Sequence, residues 1–74
     1  MKTFKFKRTI TKTKARVFNH YIGTQDVIEI IEHEDGRKFP FEFEGHFSKT
    51  LENAMKYVAK NDSLFTYKLE KIED

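Results

Sequence analysis

Cysteine is absent from this 74-residue chain. That excludes a disulfide framework, a thiol nucleophile and a thiolate metal site. No apolar run approaches the ~20 residues a membrane-crossing helix needs. The basic N-terminus lacks the apolar stretch of a signal peptide. With only three glycines there is no Gly-rich loop to cradle a phosphate. Acidic residues are missing from the first sixteen positions, which carry Lys2, Lys5, Lys7, Arg8, Lys12, Lys14 and Arg16. The rest of the chain holds seven basic and twelve acidic residues, so the overall +2 conceals +7 against −5. A field divided in this way either steers a polyanion to the protein or neutralises the protein's own acidic surface.

What is present indicates one small domain spanning residues 1–74, with eight phenylalanines to densify its core. The expectation is a soluble protein of the cytoplasm. From Met1 to Lys12, Phe4, Phe6 and Ile10 alternate with Thr3, Lys5, Lys7, Thr9 and Thr11, the period of a strand with one buried face. Arg8 falls on the apolar side. The phase slips beyond Lys12, so a bulge or turn is expected near Lys12–Lys14, with a second extended stretch over Ala15–Ile22. Gly23–Asp26 reads as a turn. Asp35-Gly36, between two β-rich runs, is the signature of a two-residue type I′ hairpin. That turn would set Ile28 against Phe43, Ile30 against Phe41, Glu32 against Phe39 and Glu29 against Glu42. It would place Phe39, Phe41 and Phe43 in the core. Pro40 cannot donate to a ladder, which suggests an edge strand or a non-bonded position.

Ser48 is the expected N-cap of a helix reaching Lys60, with an apolar stripe of Leu51, Ala54, Met55, Val58 and Ala59. Asn61 suits a left-handed C′ position. Leu64–Ile72 reads as a last strand, and Glu70–Asp74 as a fraying tail. The order β-β-β-β-α-β predicts an α+β fold, a small antiparallel sheet with one helix packed on one face.

Nothing in this pattern assembles a nucleophile, base and orienting group, so no catalytic residue is assigned. His20, His33 and His46 are scattered without metal-ligand spacing, and no metal or cofactor is implied. Two readings of the basic strand compete, one binding and one structural. Lys5, Lys7, Arg8, Lys12, Lys14 and Arg16 offer a basic strand for the phosphates of DNA or a nucleotide. Alternatively Lys5 and Lys7 relieve repulsion between Glu29 and Glu42 on a neighbouring strand. A protein partner is the other candidate ligand. It would meet the hairpin face bearing Glu29, Ile31, Glu42 and Glu44, or an exposed sheet edge. Val27, Ile31, Pro40 and Tyr57 together with an unpaired edge would also serve a homodimer.

Arg8-Thr9-Ile10-Thr11-Lys12-Thr13 followed by Val17 resembles small early proteins of tailed phages. The likeness is greatest to the histone-like family that coats phage genomes by binding double-stranded DNA. The similar pieces are residues 7–17, the turn and helix from Gly45 to Lys60, and the strand around Leu69–Ile72, about half the chain. The resemblance implies non-enzymatic, largely sequence-independent DNA binding, with Arg8 and Lys12 on the matching motif. Phage proteins of this size also bind and block host defence enzymes, which makes an inhibitor of a host protein the alternative function.

Overall fold

The computed structural model describes residues 1–72. Strand β1 (Lys2–Thr13) leads through a 3₁₀ helix (Arg16–Tyr21) to β2 (Gln25–Glu32). Strands β3 (Phe41–Phe43) and β4 (His46–Ser48), helix α1 (Leu51–Lys60) and β5 (Phe65–Lys71) follow. The five strands form one sheet in the order β4-β3-β2-β1-β5, and every neighbouring pair is antiparallel. The expected α+β architecture with its β-β-β-β-α-β order is therefore present, with different membership.

Alternation explains why β1 lies inside the sheet. Phe4 and Phe6 stand opposite Ile30 and Ile28 of β2 on the face that α1 covers. Phe6, Ile30 and Val58 are essentially inaccessible, and Ala54, Ile28 and Phe43 complete the buried core. Phe4, Phe41, Leu51, Met55, Tyr57 and Leu69 pack around it. Four of the five stripe residues dock, Leu51, Ala54, Met55 and Val58, with Tyr57 joining them, while Ala59 lines a groove at the surface. Lys5, Lys7 and Thr9 point to the opposite, open face, as their alternation requires.

Several local expectations are corrected. The segment Ala15–Ile22 is not extended. Phe18 and Tyr21, three residues apart, lie on one side of the 3₁₀ helix, and both rings pack on Phe65 at 5.9 and 5.7 Å. Asp35-Gly36 does not form the two-residue turn. Type I′ needs positive φ at both central residues, whereas here Gly36 is at +80° and Asp35 is not in that region. Arg37 holds the Asp35 carboxylate through its guanidinium, at 2.9 Å from Nε and 2.7 Å from Nη2. The connection runs from His33 to Pro40 and closes with the His33 N–H on the Pro40 carbonyl at 2.8 Å.

The β2–β3 register is consequently displaced by two residues, with Ile31 opposite Glu42 and Glu32 opposite Phe41. A two-residue displacement preserves which face each side chain occupies, so Phe41 and Phe43 still reach the core. Phe39 falls in the loop and is 45% exposed. Pro40 lies just before β3, which is an internal strand rather than an edge.

The tight turn sits at Glu44-Gly45, with φ of +46° and +83°, and it sets Phe43 opposite His46. It creates β4, which the sequence does not announce. Ser48 is therefore a buried strand residue. The cap is Thr50, whose Oγ1 accepts the Asn53 N–H at 3.1 Å. Asn61 is right-handed, at φ −76°. The bulge of β1 against β5 lies between Ile10 and Lys12, slightly earlier than expected. At the C-terminus β5 remains paired, and the Ile72 N–H donates to the Lys5 carbonyl at 3.0 Å. The fraying expected at Glu73 and Asp74 lies outside the described residues.

Candidate functional site: the two halves of the basic strand

The six candidate cations divide into two groups of three. Arg8, the residue that interrupts the apolar alternation, lies opposite Asp26 of β2 and Leu69 of β5. Its Nε and Nη2 donate to the two carboxylate oxygens of Asp26 at 3.0 and 2.6 Å. Its guanidinium also lies 4.3 Å from the Tyr67 ring centre. Such a bidentate, stacked arrangement is specific to arginine. The Asp26 carboxyl is held below the usual carboxylate range, chiefly by the Arg8 hydrogen bonds, and the Arg8 guanidinium is raised in turn. Behind it the Tyr67 hydroxyl donates to Asp62 Oδ2 at 2.9 Å. Burial followed by this bond raises the Tyr67 phenol. The Leu64 N–H on Asp62 Oδ1, at 2.8 Å, is the main cause lowering that carboxyl.

Lys5 and Lys7 are also answered from within the protein. Lys5 lies directly across from Glu29, with Nζ 3.9 Å from Oε1. Lys7 meets Glu70 of β5 at 3.8 Å. Both pairs are solvent-exposed, so each contributes only tenths of a kcal/mol, on the order of 0.2–1. Their significance is that these charges have local counter-charges.

Lys12, Lys14 and Arg16 differ. All three are exposed, and none has a carboxylate within 4.0 Å among the described residues. They follow the β-bulge, where Lys12 pairs with Thr66 and the Lys14 N–H donates to the Leu64 carbonyl at 3.0 Å. Arg16 opens the 3₁₀ helix. Thr13 fixes this bend, its hydroxyl lying 3.1 Å from the Ala15 carbonyl and 3.0 Å from Asn19 Oδ1. At this end of the sheet the Phe18, Tyr21, Phe65 and Tyr67 rings gather on the face of Thr13, opposite Phe65, whereas Lys12, opposite Thr66, and Lys14 lie on the other face. The Tyr21 ring is 41% exposed and lies 4.0 Å from His20. The alternation reading assigns no role to this aromatic group. The three-residue spacing of Phe18 and Tyr21 was the signal for it.

The residues of the alternative, acidic site are partly brought together. Glu29, Ile31 and Glu42 share the open face, while Glu44 occupies the β3–β4 turn. The expected opposition of Glu29 and Glu42 does not occur, because the register is displaced. Glu29 faces Lys5, and Glu42 Oε1 lies 2.6 Å from His33 Nε2. Lys5, Glu29 and Glu44 line one shallow depression of mixed charge. His46 is stacked on Tyr57 at 3.6 Å, against the helix.

No helix among the described residues is long and apolar enough to cross a membrane. No protein-family model, curated protein or solved structure matches the chain.

Proposed function

We propose that this chain is a non-enzymatic binding protein of phage type that takes the phosphates of DNA or a nucleotide. The site is the bend after β1, and Lys12, Lys14 and Arg16 make the contacts. The observation that supports this reading is the lack of any described counter-charge beside those three cations, while Lys5, Lys7 and Arg8 each have one. Phosphate binding releases counterions in proportion to the cations engaged, and unpaired cations engage without first breaking an internal ion pair. Of the two motif positions in the phage histone-like resemblance, Lys12 is available for phosphate, whereas Arg8 holds the sheet together through Asp26.

The second reading is an inhibitor of a host protein. It draws support from the open face, where Val27 is 59% and Phe47 42% exposed beside Ile31. A gel-shift titration with duplex and single-stranded oligonucleotides at two salt concentrations separates the two. Binding that weakens steeply with salt supports the phosphate reading. No shift at low salt with either strand form, together with capture of a defined host protein that Phe47→Ser abolishes, would establish the second.

A further inference from the structure

The sheet has two edges, the three-residue β4 and the seven-residue β5. Two sets of hydrogen bonds show which backbone groups of β5 face outward. Ile72 donates its N–H to Lys5 of β1. Ile10, opposite Tyr67, directs its own groups away from β5, donating to the Thr24 carbonyl at 3.0 Å and accepting from the Gly23 N–H at 2.8 Å. Bonded and non-bonded pairs alternate in an antiparallel ladder. Lys68, Glu70 and Ile72 therefore turn their backbone groups toward β1, whereas Tyr67, Leu69 and Lys71 turn theirs to the open edge. Such a row of unpaired groups is a template for another strand.

The side chains select which strand. In a two-fold antiparallel pairing, residues opposite each other lie on the same face. Centring on Lys68 would oppose Lys68 to its own copy, and centring on Glu70 would oppose Glu70 to its own copy. Centring on Leu69 instead sets Lys68 opposite Glu70 twice, sets Tyr67 opposite Lys71 twice, and brings the two Leu69 side chains together at the axis. Centring on Tyr67 sets Lys68 opposite Thr66 and gains no charge pair. Like charges directly opposite are unfavourable and opposite charges favourable, so of these four registers the Leu69 one is complementary in charge. Edge lysines ordinarily discourage pairing, yet in this register Lys68 has an acidic partner across the axis. Leu69 also lines an apolar groove with Met55 and Ala59 between β5 and α1. A second copy covers that groove where it meets the axis. We infer that the protein forms a two-fold dimer by antiparallel pairing of β5 with β5 of a second copy, centred on Leu69, which doubles the five-stranded sheet.

Sedimentation equilibrium over a wide concentration range tests this independently of nucleic-acid binding. The expected result is a monomer–dimer equilibrium. Lys68→Glu, which makes both cross-axis charge pairs repulsive, weakens it by about tenfold or more. The double exchange Lys68→Glu with Glu70→Lys restores it. Lys71→Pro removes an N–H that the monomer's own ladder does not use, so it abolishes the dimer while the circular dichroism spectrum is retained. A wild-type protein that is monomeric at every concentration would overturn the inference. So would a dimer indifferent to Lys68→Glu, or one that the double exchange fails to restore.

Discussion

The first half of β1 and the bend that follows it carry equal numbers of candidate cations but differ in surroundings. Lys5, Lys7 and Arg8 lie between β2 and β5, each beside a carboxylate of a neighbouring strand. Lys12, Lys14 and Arg16 come after the bulge, beside the first residues of β5, where β2 no longer pairs with β1. Charge density along the sequence is therefore a poor guide to charge available for a ligand. What counts is how many strands flank the residue and what they carry.

The largest test of this contrast acts on the anchor of the matched half. Phe6 is fully buried between Ile28 and the helix. Phe6→Ala is expected to cost about 3–5 kcal/mol, enough to unfold much of a domain this small, as chemical denaturation will show. Arg8→Ala comes next. It leaves Asp26 without its bidentate partner, and the expected loss is about 1–2 kcal/mol once the partial exposure of the pair is allowed for. The pH dependence has a definite sign. Asp26 is depressed in the folded state, so its contribution is complete above its unfolded value of about 3.9. The contribution is lost as pH falls through the lower folded value. Arg8→Ala should therefore show less loss of stability on acidification than the wild type, measured by denaturation between neutral and strongly acidic pH.

A smaller gain is expected at the turn that sets β3 against β4. Glu44 adopts φ +46° without being glycine. Glu44→Gly should raise stability by roughly 0.5–1 kcal/mol, since left-handed backbone is costly for a residue with a Cβ. Smallest of all, Lys5→Gln and Lys7→Gln should each change stability by only about 0.2–1 kcal/mol, because both ion pairs are exposed.

Much of the fold was legible in the residues. The period-two face of β1 is read from Phe4 and Phe6, and the docking stripe of α1 from Leu51, Ala54, Met55 and Val58. Asp-Gly signals a type I′ turn only where both residues take positive φ, and Asp35 does not. Its carboxylate instead holds Arg37, two residues on, whose guanidinium lowers its pKa to about 2. The turn moved to Glu44-Gly45, whose first residue carries no strong preference for left-handed backbone, so β4 was invisible. The segment from Ala15 to Ile22 was misread because its alternation and its three-residue spacing coexist. Packing of Phe18 and Tyr21 on Phe65, a contact far apart in sequence, decides between them. Of the site, the residue types were legible. Their division into matched and unmatched cations was not, because it depends on which strand lies beside which.

The proposed site requires that Lys12, Lys14 and Arg16 bind phosphate and that Lys5, Lys7 and Arg8 do not. The most direct measurement is the salt dependence of duplex-DNA affinity, by fluorescence anisotropy, for two variants beside the wild type. Replacing Lys12, Lys14 and Arg16 with Gln should lower the slope of log affinity against log salt by about 3, while replacing Lys5 and Lys7 should leave it nearly unchanged. Equal effects of the two variants, or a larger effect from Lys5 and Lys7, would contradict the proposed site.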